Sequence, residues 1–408
     1  MNEKHLQYIQ NVLDEAVSTN KFAGNSCLVY QGGVIRGFWT SGYADIEAKK
    51  PFSRDTICRI FSMTKVVTSI AAWILIERGK IDIASPVSDY LEEFSSLNVC
   101  TPEGKIVPAK NALLVRDLLN MTSGYSYGGL QDESHRQIAV LISKIDSALK
   151  NGAEMSGEEI AKQAAKIPLS FEPGESFEYG ISADILGVLI ERVSKMSLSD
   201  FFKKEIFEPL GMKDTAFFVS AEKKARVASV YEQYKDEDGK RALRKTTEPI
   251  LGIANAPEKL PAFQSGGAGL LSTVDDYMKL CRMFAEDGAL ESHRVLQAGT
   301  VRAMHTLHIA PKLQKVFEEK HPSLSGYTYG NLMRQLLDAG QSTTANRGNS
   351  EFGWDGALGT YMAVDSGNDL AIVFFTQCKN DGGYTSVARK IKNIVYASLS
   401  GKDDISKF

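Results

Sequence analysis

The chain has 408 residues, long enough for a large core and for two or three lobes. Hydrophobic residues make up 43% and charged residues 24%, which is ordinary for a soluble globular protein. The net charge of −3, without a basic stripe, argues against nucleic acid as a partner.

Targeting and metal-binding signals are missing from the sequence. The first seven residues hold no apolar signal core, and the longest apolar run is far short of the roughly 20 residues of a membrane span. The five scattered cysteines form no Cys-x-x-Cys pair, which favours buried thiols in a reducing cytosol. The six histidines lack metal-ligand spacing. We therefore expect a cytoplasmic protein with no membrane span, no metal and no cofactor.

The first third of the chain predicts a helix, a hairpin and a buried helix in that order. Apolar residues at helical spacing indicate a helix over 5–18, and two strand-like runs, 25–30 and 34–40, meet at Gly32-Gly33. A second helix begins at Ser62, and residues 66–76 are apolar nearly all round. Such a helix is buried in the middle of a protein.

The middle of the chain is predicted to be mostly helical, and the end is predicted to combine helices with strands. Residues 81–264 are mostly helical, with predicted helices over 115–121, 158–166, 182–194 and 198–206 and an exposed hairpin over 231–244. The end predicts a helix from Thr273 to about 286, a strand pair over 360–365 and 370–377, and a last helix over 384–398. We predict an α/β (α+β) fold with a sheet domain, 1–80 and 265–408, a mostly helical domain, 81–264, and the active site between them.

The pair Ser62 and Lys65 is the most informative motif. Residues three apart share a helix face, so the lysine amine can reach the serine hydroxyl. A hydroxyl needs a base before it can attack, and a buried lysine needs a partner or a lowered pKa. Ser-x-x-Lys occurs four times in the chain, and only this copy opens an apolar helix. On these residues alone, a structural helix start stays as good an explanation as catalysis.

Two further segments complete an ordered set. Tyr179 follows a Pro-Gly turn at 173–174 and precedes the predicted helix at 182, where a tyrosine by itself is more often a packed aromatic. Residues 352–356 read Phe-Gly-Trp-Asp-Gly before a predicted strand. With Ser62 and Lys65, this order resembles the serine β-lactamase and penicillin-binding-protein superfamily over nearly the whole chain. More narrowly, it is similar to class C β-lactamase-like esterases, the family VIII carboxylesterases, and related acyltransferases.

The resemblance implies a fold and a set of roles. The fold would be an antiparallel sheet flanked by helices, with a helical lobe beside it. Ser62 would be the acylated nucleophile, and Lys65 and Tyr179 would transfer protons. The backbone N–H groups of Ser62 and Ala357 would form the oxyanion hole. Gly356 would let substrate approach the strand edge closely.

Departures from the family pattern bear on the substrate. Trp354 stands where β-lactam-binding relatives have a lysine, and Ile181 stands where they have an asparagine that meets the acylamide chain. Asp355 adds a negative charge beside them, and its side chain can equally point away from the cleft, since neighbouring strand residues face opposite sides. Core packing stays an alternative explanation of Trp354. An anionic ligand would lose a cation, whereas an apolar acyl or alcohol group would gain an aromatic wall. The substitutions predict a neutral small-molecule ester as substrate, with Trp354, Asp355, Gly356 and Ile181 contributing to its binding.

A second serine fits a different hydrolase motif. Residues 124–128 read Gly-Tyr-Ser-Tyr-Gly, the nucleophile elbow of α/β-hydrolases, but that elbow needs a preceding strand and residues 115–121 are helical in period. We interpret Ser126 as a loop serine beside the cleft and expect Tyr125 to contribute to substrate binding.

Several activities share this set of residues. We predict a serine esterase that forms a covalent acyl-enzyme on Ser62. The alternatives are an acyltransferase that uses the same acyl-enzyme, a β-lactamase or D-aminopeptidase, and an inactive binding or assembly homologue. Retention of Ser62, Lys65 and Tyr179 together argues against the last of these. The sequence does not predict an oligomeric state.

Overall fold

A computed structural model describes residues 1–254, 256–345, 348–379 and 384–399. Within these ranges, an eight-stranded antiparallel sheet forms the centre of the fold. Strand Gly24–Gln31 pairs with Leu370–Thr376, so the two ends of the chain meet in one sheet, as the strand patterns predicted. The order across the sheet is Tyr327–Gly330, Met333–Leu336, Glu351–Asp355, Tyr361–Asp365, Leu370–Thr376, Gly24–Gln31, Val34–Asp45 and Lys50–Pro51.

The middle strand of the sheet is buried on both faces. Side chains alternate along a strand, so Ile372 and Phe374 pack under the two terminal helices while Val373 and Phe375 pack on the opposite side against the main core. A strand covered on both faces needs apolar residues throughout rather than an alternating pattern. This explains the unbroken apolar run that predicted a central strand here.

The helix that follows Ser62 lies at the centre of the molecule. Every residue from Thr64 to Leu75 is buried, as the apolar run predicted. The helices are Glu3–Leu6, Tyr8–Ser18, Thr64–Glu77, Val115–Leu119, Glu133–Lys150, Gly157–Ala164, Ser182–Ser194, Leu198–Phe202, Glu208–Leu210, Val274–Ala285, Ala298–Met304, Pro311–Lys320 and Tyr384–Ala397.

Short strands and single turns connect these elements. The predicted exposed hairpin is present as Val230–Lys235 and Arg241–Thr246, and its first strand also pairs with Cys378–Lys379. Further short strand pairs are Cys58–Arg59 with Leu271–Ser272, Asn98–Cys100 with Ile106–Pro108, and Ala289–Leu290 with His293–Arg294. Short 3-10 segments span Phe61–Met63, Val87–Asp89, Glu92–Phe94, Ala221–Arg226, Pro322–Leu324 and Ser366–Asn368, and Lys203–Phe207 is a π-helical segment.

The longest helix, Glu133–Lys150, was not predicted from the sequence. Its buried face carries Ile138, Leu141 and Ile145, and two polar residues fill the buried positions of its first turn. The apolar stripe is therefore narrow, and the charged outer face dominates the local pattern. Asp132 caps the helix by accepting a hydrogen bond from the third amide beyond it.

Two further expectations concern the burial of the cysteines and the length of the apolar helices. All five cysteines are buried and free of disulfides, as the sequence predicted. In the described ranges, no helix combines the length and apolar character needed to cross a membrane.

A buried ion network ties the sheet to the last helix. Arg334 Nη1 donates to Asp355 Oδ1 at 2.7 Å, and Lys392 pairs with Glu351. The Arg334 guanidinium also lies 4.6 Å from the centre of the Tyr361 ring. The side chains of Arg334, Lys392 and Glu351 are at most 3% exposed. Two cations therefore balance two carboxylates in the dry layer under the terminal helices, where an unpaired charge would be costly.

Removing one cation from this network should destabilise the fold. Arg334→Met leaves two buried carboxylates facing one ammonium group, so the free energy of unfolding should fall by about 3–5 kcal/mol in urea titrations. The matched control is Lys162→Met, which breaks the exposed pair with Glu158 and should cost less than about 1 kcal/mol. Equal losses in the two variants would show that the buried network contributes nothing specific.

Candidate active site

The turn that carries Ser62 is strained and firmly packed. Phe61 has φ +42°, a left-handed conformation that costs a residue with a side chain about 1–3 kcal/mol. Its ring is buried among Val230, Ala268 and Leu358, which offsets the strain. Ser62 follows Phe61 in the same turn, partly exposed, just before the buried helix begins at Thr64. The serine is therefore presented at the mouth of the helix.

Gly356 packs against this turn. A Cβ atom on Gly356 would lie 2.3 Å from the carbonyl oxygen of Ile60 and 2.1 Å from Oγ1 of Thr360. The glycine therefore lets the strand end reach the turn that carries Ser62. Thr360 fixes the same contact by donating to the Ile60 carbonyl at 3.2 Å.

This contact brings two backbone amides to the same edge of the site. The N–H groups of Ser62 and Ala357 have no hydrogen-bond acceptor among the described residues. Ala357 is exposed, and Ser62 is partly so. Free, rigidly held amides of this kind are suited to bind a developing oxyanion.

Lys65 is fully buried and contacts three oxygen atoms. Its Nζ lies 3.2 Å from Ser62 Oγ, 2.8 Å from the Tyr127 hydroxyl and 2.8 Å from the Gly267 carbonyl. Burial lowers the pKa of Lys65 to about 7, against an opposing effect of the Asp184 charge. None of the three contacting oxygens belongs to a carboxylate. Near neutral pH the amine is therefore partly in its neutral form.

Tyr179 stands on the other side of Ser62. Its hydroxyl shares a hydrogen bond with Ser62 and accepts one from Trp354 Nε1 at 2.8 Å. The centre of its ring is 4.8 Å from Lys65 Nζ. Burial raises the pKa of Tyr179 although both hydrogen bonds act to lower it, so the phenol is protonated. The structure thus brings Ser62, Lys65, Tyr179 and Trp354 together.

A close backbone contact sets the position of Tyr179. A Cβ on Gly180 would lie 2.2 Å from the Tyr125 carbonyl oxygen, so only glycine allows the two loops to touch. The contact also places the ring of Tyr127 5.7 Å from that of Tyr179. The two tyrosines therefore flank the lysine amine.

Sequence reasoning missed two residues of this network. Tyr127 lies in the Gly-Tyr-Ser-Tyr-Gly segment, where attention fell on the serine. Asp184 lies in the first turn of the predicted helix over 182–194, and the sequence predicted no chemical role for it. Its Oδ1 accepts hydrogen bonds from Ser265 Oγ at 2.5 Å and from Gly267 N at 3.0 Å. The one sequence signal for a role of Asp184 was an acidic residue in the first turn of an apolar helix.

Asp184 acts on Lys65 through the Gly267 peptide. Burial raises the pKa of Asp184, and the charge of Lys65 acts to lower it. The carboxylate holds the Gly267 amide, whose own carbonyl accepts from Lys65. Its function in the structure is to fix this peptide in place.

Two of the predicted substrate-binding residues have protein partners for their polar groups. Tyr125 is fully buried and donates to the Ala164 carbonyl at 3.1 Å. Asp355 pairs with Arg334, and it follows Trp354 in a strand, where neighbours point to opposite faces. Its carboxylate is therefore paired on the face of the sheet opposite Trp354, although its charge still acts to raise the pKa of Tyr179.

The structure also gives the surroundings of Ile181 and Ser126. Ile181 is 7% exposed and begins the helix after Tyr179, where it borders a cavity. Ser126 is 1% exposed and its Oγ accepts from Gly128 N, so it is a buried loop serine. In the described part of the chain, no group of three or more His, Cys, Asp or Glu side chains is arranged to hold a metal ion.

Comparisons with known proteins agree with this architecture. The family model described as Beta-lactamase matches residues 9–395. Protein Rv1367c of Mycobacterium tuberculosis (strain ATCC 25618 / H37Rv) is 30% identical over 375 residues, 90% of this chain and 89% of that protein. Esterase EstB of Burkholderia gladioli is 27% identical over 400 residues, 95% of this chain and 94% of that protein.

A solved structure extends the likeness to the fold. EstCE1, described as a hydrolase with promiscuous acyltransferase activity, superposes with a TM-score of 0.77 at 24% identity, over 97% of this chain and 99% of that one. Its likeness supports the predicted antiparallel sheet flanked by helices. With a family model that spans almost the whole sequence, the chain belongs to the beta-lactamase family.

Proposed function

We propose that this protein is a serine hydrolase that cleaves neutral carboxylic esters through an acyl-enzyme on Ser62. The observation that carries the proposal is a buried Lys65 amine, with a pKa of about 7, 3.2 Å from the Ser62 hydroxyl. The site would lie between the sheet domain, which supplies Ser62 and Trp354, and the helical domain, which supplies Tyr127 and Tyr179. Esterase EstB, the relative named above, carries an activity of this class.

Counting hydrogens on Lys65 gives the first step. A neutral amine has two N–H groups and one lone pair. The Gly267 carbonyl can only accept, so it takes one N–H, and the Tyr127 hydroxyl takes the other. The lone pair is left for the Ser62 hydroxyl. In this arrangement Lys65 takes the serine proton as Oγ forms its bond to the acyl carbon.

The remaining steps use the amides and Tyr179. The carbonyl oxygen becomes negative and is bound by the N–H groups of Ser62 and Ala357. When the bond to the alcohol breaks, the Tyr179 phenol protonates the leaving oxygen, and the Lys65 ammonium returns a proton to Tyr179. Water then enters, gives up a proton along the same path and releases the carboxylic acid. Ser62 recovers its proton, so the cycle closes.

Acyl transfer is the second candidate. It differs only in the last step, where an alcohol or amine replaces water as the acceptor. EstCE1, which has the same fold, is described as having both activities. The catalytic residues are common to both reactions, so the acceptor decides between them.

Covalent labelling tests the nucleophile. A fluorophosphonate should add one adduct to the wild-type chain, detected as intact mass, because Ser62 alone among the candidate serines faces Lys65. Ser62→Ala should abolish the adduct. The control Ser126→Ala should label normally, since that hydroxyl is buried. Labelling that persists in Ser62→Ala and disappears in Ser126→Ala would overturn the assignment.

The pH dependence tests the state of Lys65. Its folded pKa is lowered to about 7, so the neutral base is lost as the pH falls through that value. We expect kcat/KM for a neutral ester to fall on the acid side with a midpoint near this pKa. Lys65→Arg should be inactive at every pH, because a guanidinium stays protonated. A rate that stays constant well below neutral pH would contradict the role of Lys65 as base.

Substrate charge tests the selectivity of the site. Trp354 offers a carboxylate no cation, and the nearby Arg334 is already bound to Asp355 in the layer under the terminal helices. We expect kcat/KM for p-nitrophenyl butanoate to exceed that for a chromogenic cephalosporin by at least about tenfold, the size of one lost charge-assisted hydrogen bond. Comparable values on one preparation would show that the argument from Trp354 and Ile181 is incorrect.

A further inference from the structure

A small cavity is lined by Tyr127, the residue whose hydroxyl contacts Lys65 at 2.8 Å. The volume of this cavity is about 20 Å³. One water molecule needs roughly 10–15 Å³, so the cavity holds one water and no part of a larger ligand. Asp184 and Ser265 are the other polar residues of its wall, and the remaining lining residues are apolar. The cavity therefore suits a single small polar molecule.

The Tyr127 hydroxyl and the Asp184 carboxylate face the same space. A Cβ atom on Gly267 would lie 2.9 Å from the Tyr127 hydroxyl oxygen and 2.7 Å from Asp184 Oδ2, so a glycine is needed to leave this space open. Each of the two groups forms hydrogen bonds to other described residues, and none joins them directly. The two oxygen atoms are thus close enough for one water molecule to bridge them.

Asp184 and Ser265 have hydrogen-bonding capacity left for such a water. Asp184 Oδ1 accepts from Ser265 Oγ and from the Gly267 amide, whereas Oδ2 receives no donor from another residue in the described ranges. Ser265 Oγ accepts from the Ala268 amide at 3.0 Å, and a hydroxyl oxygen has a second lone pair. A water that donates to both residues and accepts from Tyr127 has three hydrogen bonds, which is typical of buried water.

The hydroxyl proton of Tyr127 needs an acceptor. The Tyr127 oxygen accepts from Lys65, and no acceptor among the described residues takes its proton. Burial raises the pKa of Tyr127, and the charge of Asp184 adds to the rise, so the hydroxyl keeps this proton. Without another acceptor, the O–H would donate to the lone pair of the neutral Lys65 amine. That lone pair would then be unavailable to Ser62.

We propose that one water molecule occupies this cavity, accepts the Tyr127 proton and donates to Asp184. Its second hydrogen goes to Ser265, and the Lys65 lone pair is left for Ser62. The proposal rests on the proposed esterase function, because it concerns the base of that reaction. Asp184 is then a positioning residue, which orients the water and through it the Tyr127 hydroxyl. A cation in the same place could not accept the tyrosine proton, so the chemistry selects water.

The pH profile of Asp184→Asn tests this role. The titratable groups that face Tyr127 are Lys65, Asp184, Tyr179 and Tyr329. The charge of Asp184 raises the pKa of Lys65, so its loss alone would move the acid limb of kcat/KM to lower pH and leave the plateau above it unchanged.

The water predicts a lower plateau as well. In Asp184→Asn the side-chain oxygen still accepts from Ser265 and Gly267, so the amide nitrogen takes the place of Oδ2 and presents a donor. The water then turns round, and Tyr127 donates to Lys65. We expect the plateau of kcat/KM for p-nitrophenyl butanoate to fall by about tenfold, the worth of one hydrogen bond.

A double variant supplies a readout that a structural role of Asp184 would not move. Tyr127→Phe removes the proton that competes for the lone pair. The plateau of Asp184→Asn/Tyr127→Phe should therefore rise above that of Asp184→Asn and equal that of Tyr127→Phe. The matched control is Asp117→Asn, which changes another buried carboxylate of the helical domain, bound by Thr122 and the Leu114 amide. Its plateau and midpoint should match the wild type.

A high-resolution crystal structure of the wild type tests the water directly. One water oxygen should lie about 2.6–3.2 Å from both the Tyr127 hydroxyl and Asp184 Oδ2. This measurement decides the question if Asp184→Asn does not fold, as judged by circular dichroism and its thermal transition. A dry cavity or a direct hydrogen bond between Tyr127 and Asp184 overturns the proposal. So does an unchanged plateau in folded Asp184→Asn, or a double variant no more active than Asp184→Asn.

The failures of the two proposals are distinguishable. Absence of turnover by the wild type on every ester contradicts the esterase function itself. Normal turnover by the wild type, with an unchanged plateau in folded Asp184→Asn, contradicts only the water.

Discussion

The site depends on one constraint, the burial of the Lys65 amine without a carboxylate in contact. An ammonium group in this position would lose its hydration and gain only neutral oxygen partners. Burial therefore lowers the pKa of Lys65 to about 7. Asp184 acts from one peptide away and keeps the pKa from falling further. The pKa of about 7 follows from this balance between desolvation and a distant charge.

Close backbone contacts hold the groups around Lys65 in position. Gly356 brings the strand end onto the nucleophile turn, and Gly180 brings the Tyr179 loop onto the Tyr125 loop. At Gly267 a Cβ would lie 2.7 Å from Asp184 Oδ2 and 2.9 Å from the Tyr127 hydroxyl. Each contact joins segments far apart in the chain. The distances around Lys65 are therefore set by the backbone of several elements at once, which keeps the site rigid before any substrate binds.

The sheet separates two different electrostatic environments. On one face, Arg334, Asp355, Glu351 and Lys392 pair among themselves under the terminal helices. On the other, Trp354 meets Tyr179 through an indole hydrogen bond, with no cation beyond the buried lysine among the residues that contact them. Since adjacent residues of one strand serve the two faces, the same short segment holds the ion network on one face and binds Tyr179 on the other.

The sequence determined the local features of this protein. An unbroken apolar run fixed the central helix after Ser62, and glycine-containing turns between apolar segments fixed the hairpins. The ordered motifs at Ser62, Tyr179 and Trp354 predicted the family. These features depend on neighbours in the chain, so their periodicity or order is visible without a fold.

Tertiary structure decided the rest. Packing partners remote in sequence decide three features. They are the burial of the narrow apolar stripe on the Glu133–Lys150 helix, the position of Tyr127 beside Lys65, and the hydrogen bond by which Asp184 holds the Gly267 peptide. The direction of Asp355 depends on which face of its strand meets Arg334, and a strand pattern alone does not tell the two faces apart. Burial, finally, lowered the pKa of Lys65, and burial is a property of the whole fold rather than of any segment.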